Sequence, residues 1–143
     1  MKIRIFLAIT VVLIMISGLN MYSQDYKDLT TCFDKWTSVM KHYTKEMSEC
    51  TDLEKLSANC VELADSVTFY YPKMIKIREK YPEIVESGPP AELKDYFTNL
   101  DMVESKYNDM LNGLVKTANS NSENEAFQTA FGKLNMAIYN AMH

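Results

Sequence analysis

The sequence predicts an all-α protein, an antiparallel up-down four-helix bundle that follows an N-terminal signal peptide. Three observations lead to this prediction. The 143 residues include only four glycines and four prolines, which is few for a fold with many tight turns. Nonpolar side chains recur at steps of three and four residues, which is helical spacing. The breaks between these runs are short, so consecutive helices must reverse direction.

The N-terminal segment predicts export. Lys2 and Arg4 precede an uncharged run over residues 5–16, which a small-residue pair ends. A basic start, a short apolar core and a small-residue exit are typical of a secretory signal peptide. The run is shorter than the roughly 20 apolar residues that span a bilayer. We expect a signal peptide over residues 1–23, cleaved near Ser23, with an uncleaved anchor as the alternative.

Export makes a periplasmic or secreted location the expectation, with one domain over residues 24–143 and no membrane contact after cleavage.

The charge balance argues against nucleic acid as a partner. Two of the 15 Lys and Arg residues lie in the signal, which leaves 13 basic residues against 19 acidic ones and a net charge of −6. Nucleic-acid phosphates need a basic surface, and Arg78 is the only arginine after the signal.

The first two predicted helices form a hairpin. The first covers about residues 26–49, with its nonpolar side chains on one face: Leu29, Phe33, Trp36, Met40, Tyr43 and Met47. The second begins at a capping box formed by Thr51 and Glu54. Pro72 lies inside the nonpolar stripe of this helix and removes one backbone donor, so we expect a kink or a break near residues 69–71.

The second stripe continues to Ile84 across Pro82, which should loosen its last turn. The Ser-Gly-Pro-Pro run at residues 87–90 then breaks the chain. The third predicted helix follows it, because proline suits the first turn of a helix. After a polar turn, Ser122 and Glu125 form a second capping box, which should begin the fourth helix.

The sequence lacks the residues that several bundle chemistries need. Di-iron bundles use Glu-x-x-His pairs, but Val39 precedes His42 and Asn140 precedes His143 at that spacing. The Cys-x-x-Cys-His haem attachment and glycine-rich phosphate loops are absent as well. We therefore expect no enzymatic activity, no metal site and no resident cofactor.

One candidate ligand site comes from the hairpin. If the first two helices turn at about Thr51, His42 and Cys60 lie at the same level, with Met40 and Met47 nearby. His, Cys and Met are soft ligands that copper or haem iron would use. The favoured alternative is structural, because His42 lies beside the stripe, Cys60 is a small core residue and Met fills gaps in helical cores.

Tyr70 and Tyr71, which directly precede Pro72, are a second candidate site. A kink can open a pocket, and tyrosines can form its rim. This would make the protein a carrier of a hydrophobic molecule or haem. The favoured alternative is that the rings fill the space left by the bend.

A basic patch and three cysteines complete the candidates. The patch comprises Lys73, Lys76, Arg78 and Lys80; such a run binds an anionic surface or, more commonly, is a solvated helix face.

Three cysteines cannot all pair within one chain. We expect free thiols at Cys32, Cys50 and Cys60, with Cys50–Cys60 as the only intrachain disulfide worth considering.

Two short segments, Tyr22-Ser23-Gln24-Asp25 and Thr51-Asp52-Leu53-Glu54-Lys55-Leu56, resemble small exported helical-bundle proteins of Bacteroidota. The resemblance implies an exported location and no assigned activity. Together with the residues, it favours a non-enzymatic binding or interaction module that uses its helix faces for a protein partner or for self-association. The alternative is a small-ligand carrier.

Overall fold

The computed structural model describes residues 26–143, and within them the protein is all-helical, with no β-strand. The elements are α1 (Lys27–Met47), α2 (Leu53–Arg78), α3 (Pro82–Ser87), a 3₁₀ turn (Ala91–Leu93), α4 (Lys94–Ser120) and α5 (Glu125–Met142). The prediction of an all-α fold is confirmed. The predicted signal peptide and its cleavage site lie outside the described residues. No helix of the described part is both long enough and apolar enough to cross a membrane.

The chain divides into two compact units between Thr31 and Cys32. In the described start of the first unit, the Thr30 hydroxyl donates to the Tyr26 carbonyl at 3.2 Å, and Leu29 is buried. The second unit contains the rest of α1 and all later elements.

The six nonpolar residues predicted to form the buried face of α1 are all buried. In α2, Leu56, Cys60, Leu63, Val67 and Met74 are buried at the predicted spacing. Helical periodicity therefore identified the core face of both helices, because a step of three or four residues returns to the same side.

The start of α2 differs from the predicted capping box. Asp52, not Thr51, is the N-cap: its carboxylate accepts hydrogen bonds from the backbone N–H groups of Glu54 and Lys55 at 3.0 and 3.2 Å. Both residues are good caps, but a carboxylate also carries the negative charge that the N-terminal end of a helix dipole attracts.

The start of α5 differs in the same way. Asn124, not Ser122, caps it, with the side-chain oxygen accepting from the Phe127 N–H at 2.9 Å. The Gln128 side-chain amide donates to the carbonyls of Ala118 and Asn121 at 2.8 and 3.1 Å. These bonds give a second donor to two carbonyls at the end of α4, each of which also accepts one backbone N–H.

α2 continues through Pro72. Of the kink or break expected there, the prediction of a break is therefore wrong. The helix ends at Arg78 instead, and Pro82 begins the separate helix α3, in the first-turn position that proline tolerates. Gly88 follows α3 with φ of +82°, a conformation that favours glycine because it has no Cβ.

α2 packs along α5. Ala58 and Ala126 line the same groove between them. Asp65 and Lys133, seven residues further along each helix, form an ion pair with Nζ and Oδ1 2.7 Å apart. Because the residue numbers rise together on both sides of the contact, the two helices run in the same direction.

Candidate binding groove

An open groove of about 480 Å³ lies between α2 and α5. Small and nonpolar side chains predominate in its lining, and one acidic and one basic residue belong to it. The lining residues are Ser57, Ala58, Val61, Glu62, Ala126, Thr129, Ala130 and Lys133. We call this the α2–α5 groove.

The α2–α5 groove exists because the side chains that line it are short. Ala126 and Ala130 are four residues apart and share one face of α5, as helical spacing requires. Larger side chains at these positions would fill the space, as they do in close-packed interiors. The Ser57 hydroxyl donates to the Leu53 carbonyl of its own helix at 2.6 Å, so it does not add an unpaired donor to the groove.

Charged residues of opposite sign border the two sides of the groove. Glu62 and Asp65 belong to α2, whereas Lys133 belongs to α5. The Lys133 ammonium donates to the Asp65 carboxylate at 2.7 Å, and both side chains remain about half or more exposed. Such an exposed pair stabilises the monomer little, but it leaves both charges accessible to a partner.

Two large, exposed nonpolar side chains lie beyond this ion pair on the helices that form the groove. Phe69 lies one turn beyond Asp65 on α2, and Met136 lies about one turn beyond Lys133 on α5. Their side chains are 57% and 61% exposed. Because three- and four-residue steps keep to one helix face, Phe69 lies on the face of α2 that carries Asp65, and Met136 lies on the face of α5 that carries Lys133.

Lys73 and Lys76 of the predicted basic patch are three residues apart on α2 and share one helix face. The Lys73 ammonium lies 3.0 Å above the centre of the Phe69 ring and 5.9 Å from that of Tyr70, in a cation–π arrangement. Arg78, five residues later, lies on a different face of α2. There it lines a second groove of about 310 Å³ at the α2–α3 junction. Its positive charge acts to lower the pKa of the Glu104 carboxyl, against the larger effect of burial.

Tyr70 and Tyr71 pack against Trp36. The ring centroids lie 6.3 Å and 5.4 Å from that of the indole, and Tyr107 of α4 approaches it to 5.9 Å. Trp36 is only 3% exposed. We call these four residues the aromatic cluster, and their packing favours the interpretation that the tyrosines fill space near Pro72.

The hydroxyl of Tyr107 is buried and makes no hydrogen bond to any residue of the described part of the chain. Burial, and secondarily the nearby Tyr71, raises the pKa of Tyr107 well above its ordinary value. Burial and the negative charge of Glu104 raise the pKa of Tyr71 as well. Both phenols therefore stay neutral near pH 7, and Tyr107 retains an unused hydrogen-bonding capacity inside the protein.

The structure does not join His42 and Cys60 in one site. The His42 ring is exposed and lies edge-on to Tyr43 at 4.8 Å, whereas Cys60 is fully buried. Burial raises the pKa of the Cys60 thiol to about 11. Within residues 26–143, no three His, Cys, Asp or Glu side chains are grouped so that they could hold a metal ion.

No disulfide joins Cys50 to Cys60. Cys50 is half-buried at the α1–α2 turn, where its thiol lies 3.6 Å from the Asp52 carbonyl. The half-buried thiol is therefore the more accessible of these two cysteines.

Comparison with protein-family models, curated proteins and solved structures finds no match for this chain. Sequence analysis missed the α2–α5 groove entirely. The available signal was the run of small residues at Ala126, Thr129 and Ala130, beside a stripe of larger nonpolar residues.

Proposed function

We propose that this protein is an exported, non-enzymatic interaction module that binds a protein partner in the α2–α5 groove. The observation that carries the proposal is an open groove with two exposed nonpolar side chains, Phe69 and Met136, further along the helices that form it. Contiguous exposed nonpolar surface rimmed by polar residues is typical of protein interaction sites. An amphipathic helix is the element best suited to such a groove, since its nonpolar face fits a channel between two helices.

We infer that the four long helices, α1, α2, α4 and α5, form the up-down-up-down bundle. Glu46 and Lys55 pair at 2.8 Å beside the α1–α2 turn, and Trp36 contacts Tyr71 further from it. The residue numbers move in opposite directions, which supports an antiparallel hairpin. The common direction of α2 and α5 is that of the second and fourth helices in this topology, although the two pack directly on each other. Such a scaffold would hold the groove walls at a fixed separation.

Export is part of the proposal because a module that binds outside the cytoplasm must first be delivered there. The basic start and apolar run over residues 1–23 support it. Intact-mass analysis of the protein recovered from the cells that make it should give a chain beginning near Gln24. A chain that keeps the whole segment would contradict cleavage.

Photocrosslinking in those cells tests the groove. A photoreactive amino acid replaces Thr129, which lines the groove, or Lys116, an exposed residue of α4 that does not. We expect a discrete protein adduct from position 129 only. Adding Ala58→Arg, which fills the groove with a charged side chain, should abolish that adduct. Equal labelling from both positions, or labelling that survives Ala58→Arg, would contradict the proposal.

The unpartnered hydroxyl of Tyr107 favours a second candidate, a carrier of a hydrophobic molecule or haem in the aromatic cluster. A buried polar atom without a partner is costly, and an oxygen-bearing ligand could satisfy it. Trp36 is the chain's single tryptophan, so its emission reports binding directly. Titration with haemin should give saturable quenching that Tyr107→Phe weakens; quenching without saturation counts against the carrier.

A further inference from the structure

We propose that the occupant of the α2–α5 groove is a second copy of this chain, which lies face to face with the first about a twofold axis parallel to the groove. The inference rests on the proposed function, since it takes the groove to be a docking surface and names the partner. A twofold interface brings one surface patch against itself, so the patch must be self-complementary. The charges and the exposed nonpolar residues of this patch meet that requirement.

The charges on the two sides of the groove favour this axis. Rotation about an axis parallel to the groove lays α2 of one copy over α5 of the other. Asp65 of each copy then lies opposite Lys133 of the other copy. The existing ion pair at 2.7 Å becomes part of a ring of four charges that alternate in sign. Opposite charges across an interface fix its register and exclude wrong arrangements.

The other face-to-face arrangement is disfavoured by the same charges. A twofold axis that crosses the groove at right angles would lay α2 over α2 and α5 over α5. With the axis at the level of the ion pair, Asp65 would face Asp65, with Glu62 on the same helix adding negative charge, and Lys133 would face Lys133. Like charges across an interface are unfavourable.

The exposed nonpolar side chains also match under the proposed axis. Rotation about the groove direction keeps each residue at its level along the groove. Phe69 and Met136, each about one turn beyond the ion pair on α2 and α5, therefore meet across the interface twice. Side chains that are 57% and 61% exposed in the monomer would be covered, and methionine sulfur packs favourably on aromatic rings.

The short side chains of the groove permit the approach. Ala58 and Ala126 leave room between α2 and α5, so the facing helices can come close together. The patch comprises the eight lining residues of the groove with Asp65, Phe69 and Met136, which is fewer than the roughly 20–30 residues a side of a stable interface. We therefore expect reversible association in the micromolar range rather than an obligate dimer.

Charge reversal with complementation tests the second copy. Asp65→Lys gives each monomer two lysines in the ring, and Lys133→Glu gives each monomer two carboxylates. Sedimentation velocity over a concentration series should show a reversible dimer for the native protein and at least tenfold weaker association for each variant. An equimolar mixture of the two variants should form a heterodimer, because every contact across that interface is again between opposite charges.

Lys116→Glu is the matched control for Lys133→Glu, since it makes the same charge change on the exposed surface of α4 and should leave the dimer intact. Circular dichroism checks that all variants fold. A native protein that is monomeric throughout, variants that associate as well as the native protein, or a mixture that stays monomeric would each overturn the inference.

Photocrosslinking separates this failure from failure of the proposed function. If the native protein is monomeric but position 129 crosslinks a different protein, the groove binds a partner and only the second copy is wrong. If position 129 yields no specific adduct and the protein is monomeric, both proposals fall. An adduct from position 129 that has twice the mass of the chain and is abolished by Ala58→Arg supports both the proposed function and the second copy.

Discussion

The indole ring of Trp36 stands edge-on to the phenol ring of Tyr71, with centroids 5.4 Å apart and an interplanar angle of 82°. Tyr107 meets the same indole edge-on at 5.9 Å. One side chain of α1 thus contacts both α2 and α4. Edge-to-face pairs of this kind stabilise beyond the nonpolar area they bury, so we assign Trp36 to the core rather than to an interface.

Trp36→Ala should lower the free energy of unfolding by about 3–5 kcal/mol, because it leaves a cavity where three ring contacts existed. Trp36→Phe, which keeps an aromatic ring, should cost less. Chemical denaturation followed by circular dichroism measures both. A loss below about 1 kcal/mol for the alanine variant would show that the indole does not hold the three helices together.

Tyr107→Phe should leave stability unchanged or raise it by about 1 kcal/mol. The substitution removes a buried hydroxyl that has no partner in the described residues, together with its desolvation cost, and keeps the ring contact with Trp36. The same denaturation experiment applies, with native protein as the reference. A decrease of more than about 1 kcal/mol would mean that the hydroxyl makes a stabilising hydrogen bond.

Asp52→Ala should lower stability by about 1 kcal/mol, because the carboxylate accepts two backbone N–H groups at the start of α2. Thr51→Ala is the matched control and should cost less than about 0.5 kcal/mol, as expected for a surface position away from such a feature. Thermal unfolding of both variants gives the comparison. Equal losses would indicate that the cap is shared or misassigned.

Burial of Cys60 should make the protein less stable at alkaline pH. The pKa of its thiol rises from 9.0 to about 11 on folding. The unfolded chain loses this proton first, so the Cys60 contribution is fully present below pH 9 and is lost as the pH rises through about 11. Its upper limit is about 3 kcal/mol.

Guanidinium unfolding from neutral to alkaline pH measures this contribution. Cys60→Ala is the control, because it removes the thiol and keeps the buried tyrosines, which also titrate at alkaline pH. The variant should start from a lower stability, owing to its smaller side chain, and fall less steeply over this range. Parallel pH profiles for the two proteins would contradict the assignment.

Much of the helical architecture could be predicted because it depends on local spacing. The stripe from Leu29 to Met47 predicted the buried face of α1 residue by residue. The helix starts were less accurate, since Thr51 and Asp52 are both suitable caps and periodicity does not choose between neighbours. At Pro72 the expected break is absent, since α2 passes through it and the helix boundary lies between Arg78 and Pro82; the kink stays a prediction.

The candidate site could not be predicted in the same way. It depends on the lateral packing of α2 and α5, two helices that are distant in sequence. A predicted hairpin shows which residues of its two helices lie equally far from the turn, but not on which side of its helix each side chain lies. His42 and Cys60 were therefore grouped, although His42 is exposed and Cys60 is buried. Small residues such as Ala58 and Ala126 fit either a tight contact or a groove, and only the structure distinguishes the two.

Oxidative footprinting of the unmodified protein tests the central claim most directly, because the chain carries its own matched pair of probes. Met136 lies about one turn beyond Lys133 on α5 and is 61% exposed, whereas Met102 lies on α4 and is 54% exposed. As protein concentration rises through the association range, oxidation of Met136 should slow severalfold while that of Met102 stays constant. Equal and concentration-independent oxidation of the two methionines would contradict a self-covering groove.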